Sequence, residues 1–419
     1  SFFEMSFDGR SFAKLGKKLV GMRGLSTQKV APDDGVLGAY RDPSGRGIIP
    51  TYGELVRQAF VPALWDSEQV FSCTPNCSAQ PNCDPGFVTI QPPLGQGGML
   101  LREQFTMMQM NFSVFFGVAI QAYERTLISD DAPFDRYREG DSTALTDQQK
   151  HGLSLFSADA RCISCHKGPD FTGAGFTLSQ EELEGILIER MAMNDGGTAL
   201  YDNGFYNIGV RPPSEDVGLG GTAPNGKPLS FVRRFVSGEF NEMNICNLQV
   251  PFASTNCFVL PPLDVRAAED TVVDGTFKTP SLRNVELTGP YFHNGGQATL
   301  SQVVHFYNRG GDFTPQDESI RFIGLSEDEM ADIVSFLKSL TDDRVRYEKA
   351  PFDHPELCIP DGHPANELPK NGSITATTLM LHVPAVGRNG GPALSSYEEL
   401  LNGTGAKHTD GPCAPRGTP

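Results

Sequence analysis

The chain has 419 residues, 39% hydrophobic and 20% charged, the composition of a folded protein of two or three domains and not of a disordered one. Its 34 basic and 51 acidic side chains leave a net charge of −17, a field that repels phosphate backbones and anionic lipid, so neither nucleic acid nor a membrane surface is an expected partner. No apolar run reaches the ~18 residues of a membrane span, and 45 glycines with 31 prolines call for long ordered loops around modest regular structure.

The chain opens on Ser1 without initiator methionine, charged leader or signal-type apolar segment, as a processed or truncated product does. Residues 1–98 read as loop-rich. An amphipathic helix follows, with Phe105, Met108, Phe112, Phe115, Ala119 and Ala122 on one apolar stripe and its exit near Ser129. Met107, Met108 and Met110 on it read as core packing more readily than as metal ligands. Thr146 and Gln149 form a capping box that opens a helix running toward residue 162. A further helix is expected over residues 179–193, and ordered loop over 195–275. Residues 299–307 read as a helix stopped by Asn308, Arg309, Gly310 and Gly311. Ser326 and Glu329 cap a last helix whose core face is Met330, Ile333, Val334, Phe336 and Leu337. Beyond Asp343 the composition turns to Pro, Gly, His and Asn, a C-terminal extension.

Nine cysteines stand at 73, 77, 83, 162, 165, 246, 257, 358 and 413. Only Cys162-Ile163-Ser164-Cys165-His166 carries a sharp signature. Two thiols three residues apart can bond covalently to the vinyl groups of a haem, with the next histidine beneath the iron. A zinc site would want a second Cys/His pair at similar spacing, and none is evident. A thioredoxin-type motif would want a helix after it, where Lys167-Gly168-Pro169-Asp170 breaks one. Haem attachment of this kind follows export, so a periplasmic or extracellular location is expected and the other cysteines read as disulfide material. Cys246 with Cys257, Cys358 with Cys413, and two of Cys73, Cys77 and Cys83 are the candidate pairs.

The sixth position on such an iron decides its chemistry. Met191, Met193, Met243, Met330, His293, His305 and several tyrosines are candidates, and spacing does not choose among them. His305 and Tyr307 share a helix but point about 200° apart, so both cannot face one iron.

The sequence resembles a known family through an ordered set of motifs: Phe7-Asp8-Gly9-Arg10; residues 122–126 followed by Pro133-Phe134-Asp135-Arg136-Tyr137; Leu155-Phe156 ahead of residues 162–169; GFYNIGV at 204–210; FKTPSLRNVELTGPYFHNG at 277–295; and Val303-Val304-His305-Phe306-Tyr307. Together they resemble the bacterial diheme cytochrome c peroxidases and their relatives, including the diheme enzymes that mature tryptophan-derived quinone cofactors. The resemblance implies a mainly α fold of c-type cytochrome domains with long ordered loops and little β. It divides the chain into the remainder of a first cytochrome-like domain (1–140), a second with the haem at Cys162 and Cys165 (141–343), and the extension (344–419).

The same resemblance implies covalent haem c here, a second haem on a segment ahead of Ser1, and a calcium ion bound partly by backbone carbonyls at Thr288 and Pro290. His166 becomes the proximal ligand. Tyr307, fourteen residues after His293, becomes the sixth, as in the quinone-maturing relatives; peroxidases commonly carry methionine there. His293 matches a histidine near the first-haem pocket. The implied partners are a small donor cytochrome or cupredoxin, or other cytochrome subunits. Two departures stand out. Phe7 replaces a tryptophan that bridges the haems, the single tryptophan being Trp65. Ser26-Thr27-Gln28 falls where an acid/base glutamate is usual.

The expected function is that of an exported peroxidase-like oxidoreductase passing electrons through the haem at Cys162 and Cys165 to a peroxide-reactive first haem. The alternatives are a non-catalytic electron-transfer or structural subunit of a multi-cytochrome assembly, and a diheme oxygenase relative acting on an organic substrate. The two departures weigh toward the alternatives.

Overall fold

A computed structural model describes residues 12–73, 88–93, 98–174, 188–193, 195–223, 226–239, 270–314, 320–360 and 380–405. Contacts divide the chain into two compact units, one of Ser1–Ile128, Tyr347–Ala393 and Lys407–Pro419, the other of Ser129–Arg346 and Leu394–Ala406.

In the first unit, helices Phe12–Leu19, Tyr52–Ala59, Met107–Met110 and Phe112–Glu124 accompany a small sheet of Val88–Gln91, Val70–Cys73 and Gln104–Phe105. The segment 1–98 is therefore less loop-like than its composition suggests. The single long helix expected from Phe105 onward is broken. Thr106 caps Met107–Met110 through Gln109, and Asn111 ends that turn before the next helix begins. Phe105, Met108, Phe112 and Phe115 are buried, whereas Ala119 and Ala122 are exposed. Met108 packs with Val56 and Phe115, in the core as its setting implied. Part of the C-terminal extension belongs to this unit: strands Leu357–Pro360 and Met380–Val383 pair antiparallel, and Glu356 accepts from the Lys29 amide at 3.0 Å and lies 2.8 Å from His382 Nε2.

The second unit is built on two helices, Asp147–Ser157 and Glu327–Lys338, each opened by the capping box that its sequence announces. They close over a core that includes Leu155, Phe156, Phe171, Met330, Ile333, Phe336 and Leu337. Burying each such side chain contributes about 1.5–3 kcal/mol. The helices approach most closely at Gly152, where a Cβ would stand 2.0 Å from the Asp332 carbonyl oxygen. Rings of Phe134, Phe156, Phe171 and Phe336 meet there mostly edge to face.

Strand content exceeds the expectation of little β. Helix is the richer element among the described residues, about 33% against 16% strand, without dominating. Residues 188–192, expected to end a helix, form strand Ile188–Ala192, antiparallel to Thr198–Asp202. The physical reason is the Asp195-Gly196-Gly197 turn, with Gly196 at φ 84°, which folds the chain back as a hairpin. The rest of the expected helix, 179–187, lies outside the described residues. The expected loop 195–275 also holds strands Phe205–Tyr206 and Asp270–Val272 and helix Phe231–Val236. Asp270–Val272 runs parallel beside Thr198–Asp202, and Phe205–Tyr206 pairs with Phe277–Lys278. Cys77, Cys83, Cys246, Cys257 and Cys413 lie outside the described residues, and Cys358 is disulfide-bonded.

Candidate functional site

Cys162–Ser164 is a single tight turn after the Asp147–Ser157 helix, and the His166 amide closes it onto the Cys162 carbonyl at 2.9 Å. Arg161 enters this turn in the left-handed region at φ 53°. No strand precedes the motif and no helix directly follows it, so the thioredoxin arrangement is not met. Among the described residues no group of three or more His, Cys, Asp or Glu gathers as a metal site. Cys162 and Cys165 are not joined to each other.

The residues after the motif fold back to hold its histidine. His166 Nδ1 stands 3.0 Å from the Phe171 carbonyl oxygen, which makes Nδ1 the protonated nitrogen and leaves the Nε2 lone pair available. Phe171 itself sits at φ 52°, a conformation few bulky residues adopt. Three contacts from one segment hold it there. Thr172 Oγ1 donates to the Thr279 carbonyl at 2.6 Å, Ser281 Oγ to that of Asp170 at 2.7 Å, and Arg283 Nε to that of Pro169 at 2.8 Å. Arg283 is anchored in turn by both oxygens of Asp135, at 2.8 and 2.9 Å. Sequence reasoning did not assign Arg283 a role; its place inside the 277–295 motif was the available signal.

Cys162, Cys165 and His166 line a mainly apolar cavity of about 440 Å³, within the ~300–1,000 Å³ usual for ligand and cofactor sites. Tyr206, Ile208 and Val210 line it from the GFYNIGV segment. Val303, Val304 and Tyr307 line it from helix Leu300–Asn308. Burial pushes the Cys162 thiol up to about 12 and the Tyr307 hydroxyl well above the phenol range, the latter with help from the neighbouring Cys165 and Cys162 sulfurs. Burial likewise lowers the His166 imidazole, against the hydrogen bonds to backbone carbonyls, which favours the neutral form that a metal-ligating nitrogen needs.

The sixth-position candidates separate. Tyr307 is on the cavity wall; His305, two residues earlier, is turned out to Glu327 at 3.4 Å. Met191 and Met330 are buried in two different cores, Met193 packs beside the first of these, and none of the three lines the cavity. Met243 lies outside the described residues. His293 reaches the cavity wall, stacked on Phe277 at 3.4 Å between ring centres, with Nε2 at 2.5 Å from Asp216. Thr288 and Pro290 line the same wall. Two thiols, an imidazole nitrogen and a phenol around one apolar cavity are a donor set able to hold a covalently anchored haem.

No family model matches the chain. It is 31% identical over 227 residues to the cytochrome-c peroxidase IdrP1 of Denitromonas iodatirespirans, covering 53% of this chain and 48% of that protein. It is 27% identical over 223 residues to the methylamine utilization protein MauG of Methylorubrum extorquens, 53% of this chain and 42% of that one. A solved MauG-like protein associated with microbial copper homeostasis is 21% identical over 59% of this chain and 55% of its own, with a TM-score of 0.35, too low to carry weight. The chain spans about half the length of the curated relatives it matches. These relatives bear out the resemblance to the diheme cytochrome c peroxidase superfamily.

Proposed function

We propose, from that kinship, that the 129–346 unit is a c-type cytochrome domain of a peroxidase-like oxidoreductase. The carrying observation is that Cys162, Cys165 and His166 from one segment and Tyr307 from another line one apolar cavity. When bound there, haem c would supply one-electron redox chemistry. Cys162 and Cys165 would hold it by thioether bonds, and His166, through Nε2, and Tyr307 would be its iron ligands. The Phe171 carbonyl keeps the imidazole in the tautomer that ligation needs. The apolar wall excludes water, and Arg161, Lys278 and Arg321 on it bring positive charge for the carboxylates of the group. Although burial keeps the Tyr307 phenol protonated without a metal, as an iron ligand it would ionise, and its oxygen would then favour a higher metal charge.

In this reading a small redox protein, a cytochrome or cupredoxin, would supply electrons through this site toward a peroxide-reactive first haem, with the protein in the periplasm or outside the cell. No described helix is long and apolar enough to cross a membrane, which agrees with such a location. Calcium at the Thr288 and Pro290 carbonyls completes the proposal. The absence of a carboxylate at residues 26–28 favours one second reading, a carrier without peroxide turnover.

The test is haem counting on the exported protein by pyridine haemochrome, with peptide mass at residues 162–166. Covalent haem on both sulfurs is expected, lost in Cys162→Ala with Cys165→Ala. Unmodified thiols in haem-replete cells would sink the proposal. Steady-state peroxide reduction with a reduced cytochrome c separates the enzyme from the carrier.

A further inference from the structure

A buried tyrosine and a carboxylate stand directly opposite each other on paired strands behind the cavity. Glu189 and Tyr201 are register partners of Ile188–Ala192 and Thr198–Asp202, and the Tyr201 hydroxyl donates to Glu189 Oε2 at 2.5 Å. Tyr201 is 5% exposed. Its ring lies 5.4 Å from that of Tyr206. Tyr206 lines the cavity, and Cys165 packs against the same cluster of Met191, Tyr201, Tyr206 and Val272. An unbroken line of contact therefore runs from the Cys165 side of the cavity through two phenols to one carboxylate.

We propose that Tyr201 is a redox-active tyrosine, with Tyr206 as its electron route to the cavity and Glu189 as its proton acceptor. The proposal rests on the haem reading above. A phenol deep in the protein holds its proton at rest, and burial together with Tyr206 and Glu189 keeps this one far above the usual range. Removing an electron makes the phenol a strong acid, so oxidation is feasible only where a base already accepts its hydrogen bond. Glu189 is that base. Per electron, the Tyr201 O–H bond breaks, the proton passes to Glu189 Oε2, the electron leaves through Tyr206, and a neutral tyrosyl radical remains beside a neutral carboxylic acid. Hydrogen peroxide is the oxidant: with two protons from solvent it takes two electrons to become two waters, one from Tyr201 and one from the donor protein. A later donor electron, with the proton back from Glu189, restores the phenol.

The role differs from that of an ordinary core tyrosine, for which Glu189 would be only a hydrogen-bond partner. The 129–346 segment contains no tryptophan, the single one being Trp65, so tyrosines are its most readily oxidised rings.

The experiment is freeze-quench electron paramagnetic resonance of the holoprotein after hydrogen peroxide, with haem content measured on the same samples. A tyrosyl signal is expected in the wild type, lost in Tyr201→Phe, and formed roughly a hundredfold more slowly in Glu189→Gln, whose amide cannot take the proton. Photogenerated tris(bipyridine)ruthenium(III) on the same protein oxidises tyrosine without peroxide, so the assignment is read even if haem is lacking and the earlier reading fails. A signal unchanged in Tyr201→Phe, or no tyrosyl signal from either oxidant, overturns the proposal. Should Tyr201→Phe not fold, an unslowed signal in Glu189→Gln overturns it alone.

Discussion

Tyr307 and His166 face one cavity although they stand on separate segments, one on helix Leu300–Asn308 and the other in the loop after Cys165. His305, on the same helix, is paired outward with Glu327. Helical geometry allows one of the two residues to look inward, and packing selects the tyrosine. Tyr307→Phe is therefore expected to change the visible and paramagnetic resonance spectra of the oxidised holoprotein, and His305→Ala to leave them as they are. The opposite pattern would reassign the sixth ligand.

Arg283 ties the loop that orients His166 to the Asp135 carboxylate, and both side chains are largely buried, at 15% and 12% exposure. Leaving Asp135 without its guanidinium costs about 3–5 kcal/mol, as for other broken buried pairs. Arg283→Met should lower the denaturation midpoint and broaden the haem spectrum through a looser Phe171 carbonyl. Arg283→Lys, which keeps the charge but loses the two-point contact, should recover only part of both. A spectrum unchanged at reduced stability would limit Arg283 to folding.

Gly152 and Gly117 are both helical glycines with opposite surroundings. A methyl at Gly152 meets the Asp332 carbonyl at 2.0 Å, while at Gly117 it meets nothing within 4 Å. Gly152→Ala should push the two core helices apart and destabilise by about 1–3 kcal/mol. Gly117→Ala should stabilise by about 0.5–1 kcal/mol through helix propensity alone. Chemical denaturation of the two variants checks the contrast, which vanishes if the helices are not packed this closely.

His354 in the first unit and Asp342 in the second titrate with opposite sign. His354 is raised by its bond to Glu348 at 2.9 Å, against burial, with the Pro355 carbonyl and the Asp353 charge adding to the rise. Its contribution is complete below the unfolded value near ~6.5 and is lost as pH climbs through the higher folded value. Asp342 is lowered despite burial, by hydrogen bonds from the Arg344 side chain and from the Arg344 and Asp131 amides. Its contribution is present above the unfolded value near ~3.9 and is lost as pH falls through the lower folded one. Wild type should accordingly lose its stability advantage over His354→Gln on the alkaline side, and its advantage over Asp342→Asn on the acid side. Flat differences across pH would refute the pairings.

Local signals were legible because local chemistry makes them. Thr146 with Gln149 and Ser326 with Glu329 each satisfy helix-end amides within four residues, and both boxes form. The Cys162–His166 spacing is of the same kind, as is the order of motifs that carries the kinship. What depended on contacts between distant residues was not legible. Residues 188–192 pair with a neighbouring strand whose own support is Asp270–Val272, about seventy residues on, and strands this short show too little alternation to announce themselves. Phe171 holds a left-handed backbone only because Phe134, Phe156 and Phe336 surround its ring and Thr279, Ser281 and Arg283 grip its loop. The choice of Tyr307 over His305, and the meeting of Tyr201 with Glu189, belong to this second kind. Residue types and spacing determine which groups can do chemistry, and packing decides which of them face one another, because that choice is settled by burial summed over the whole core.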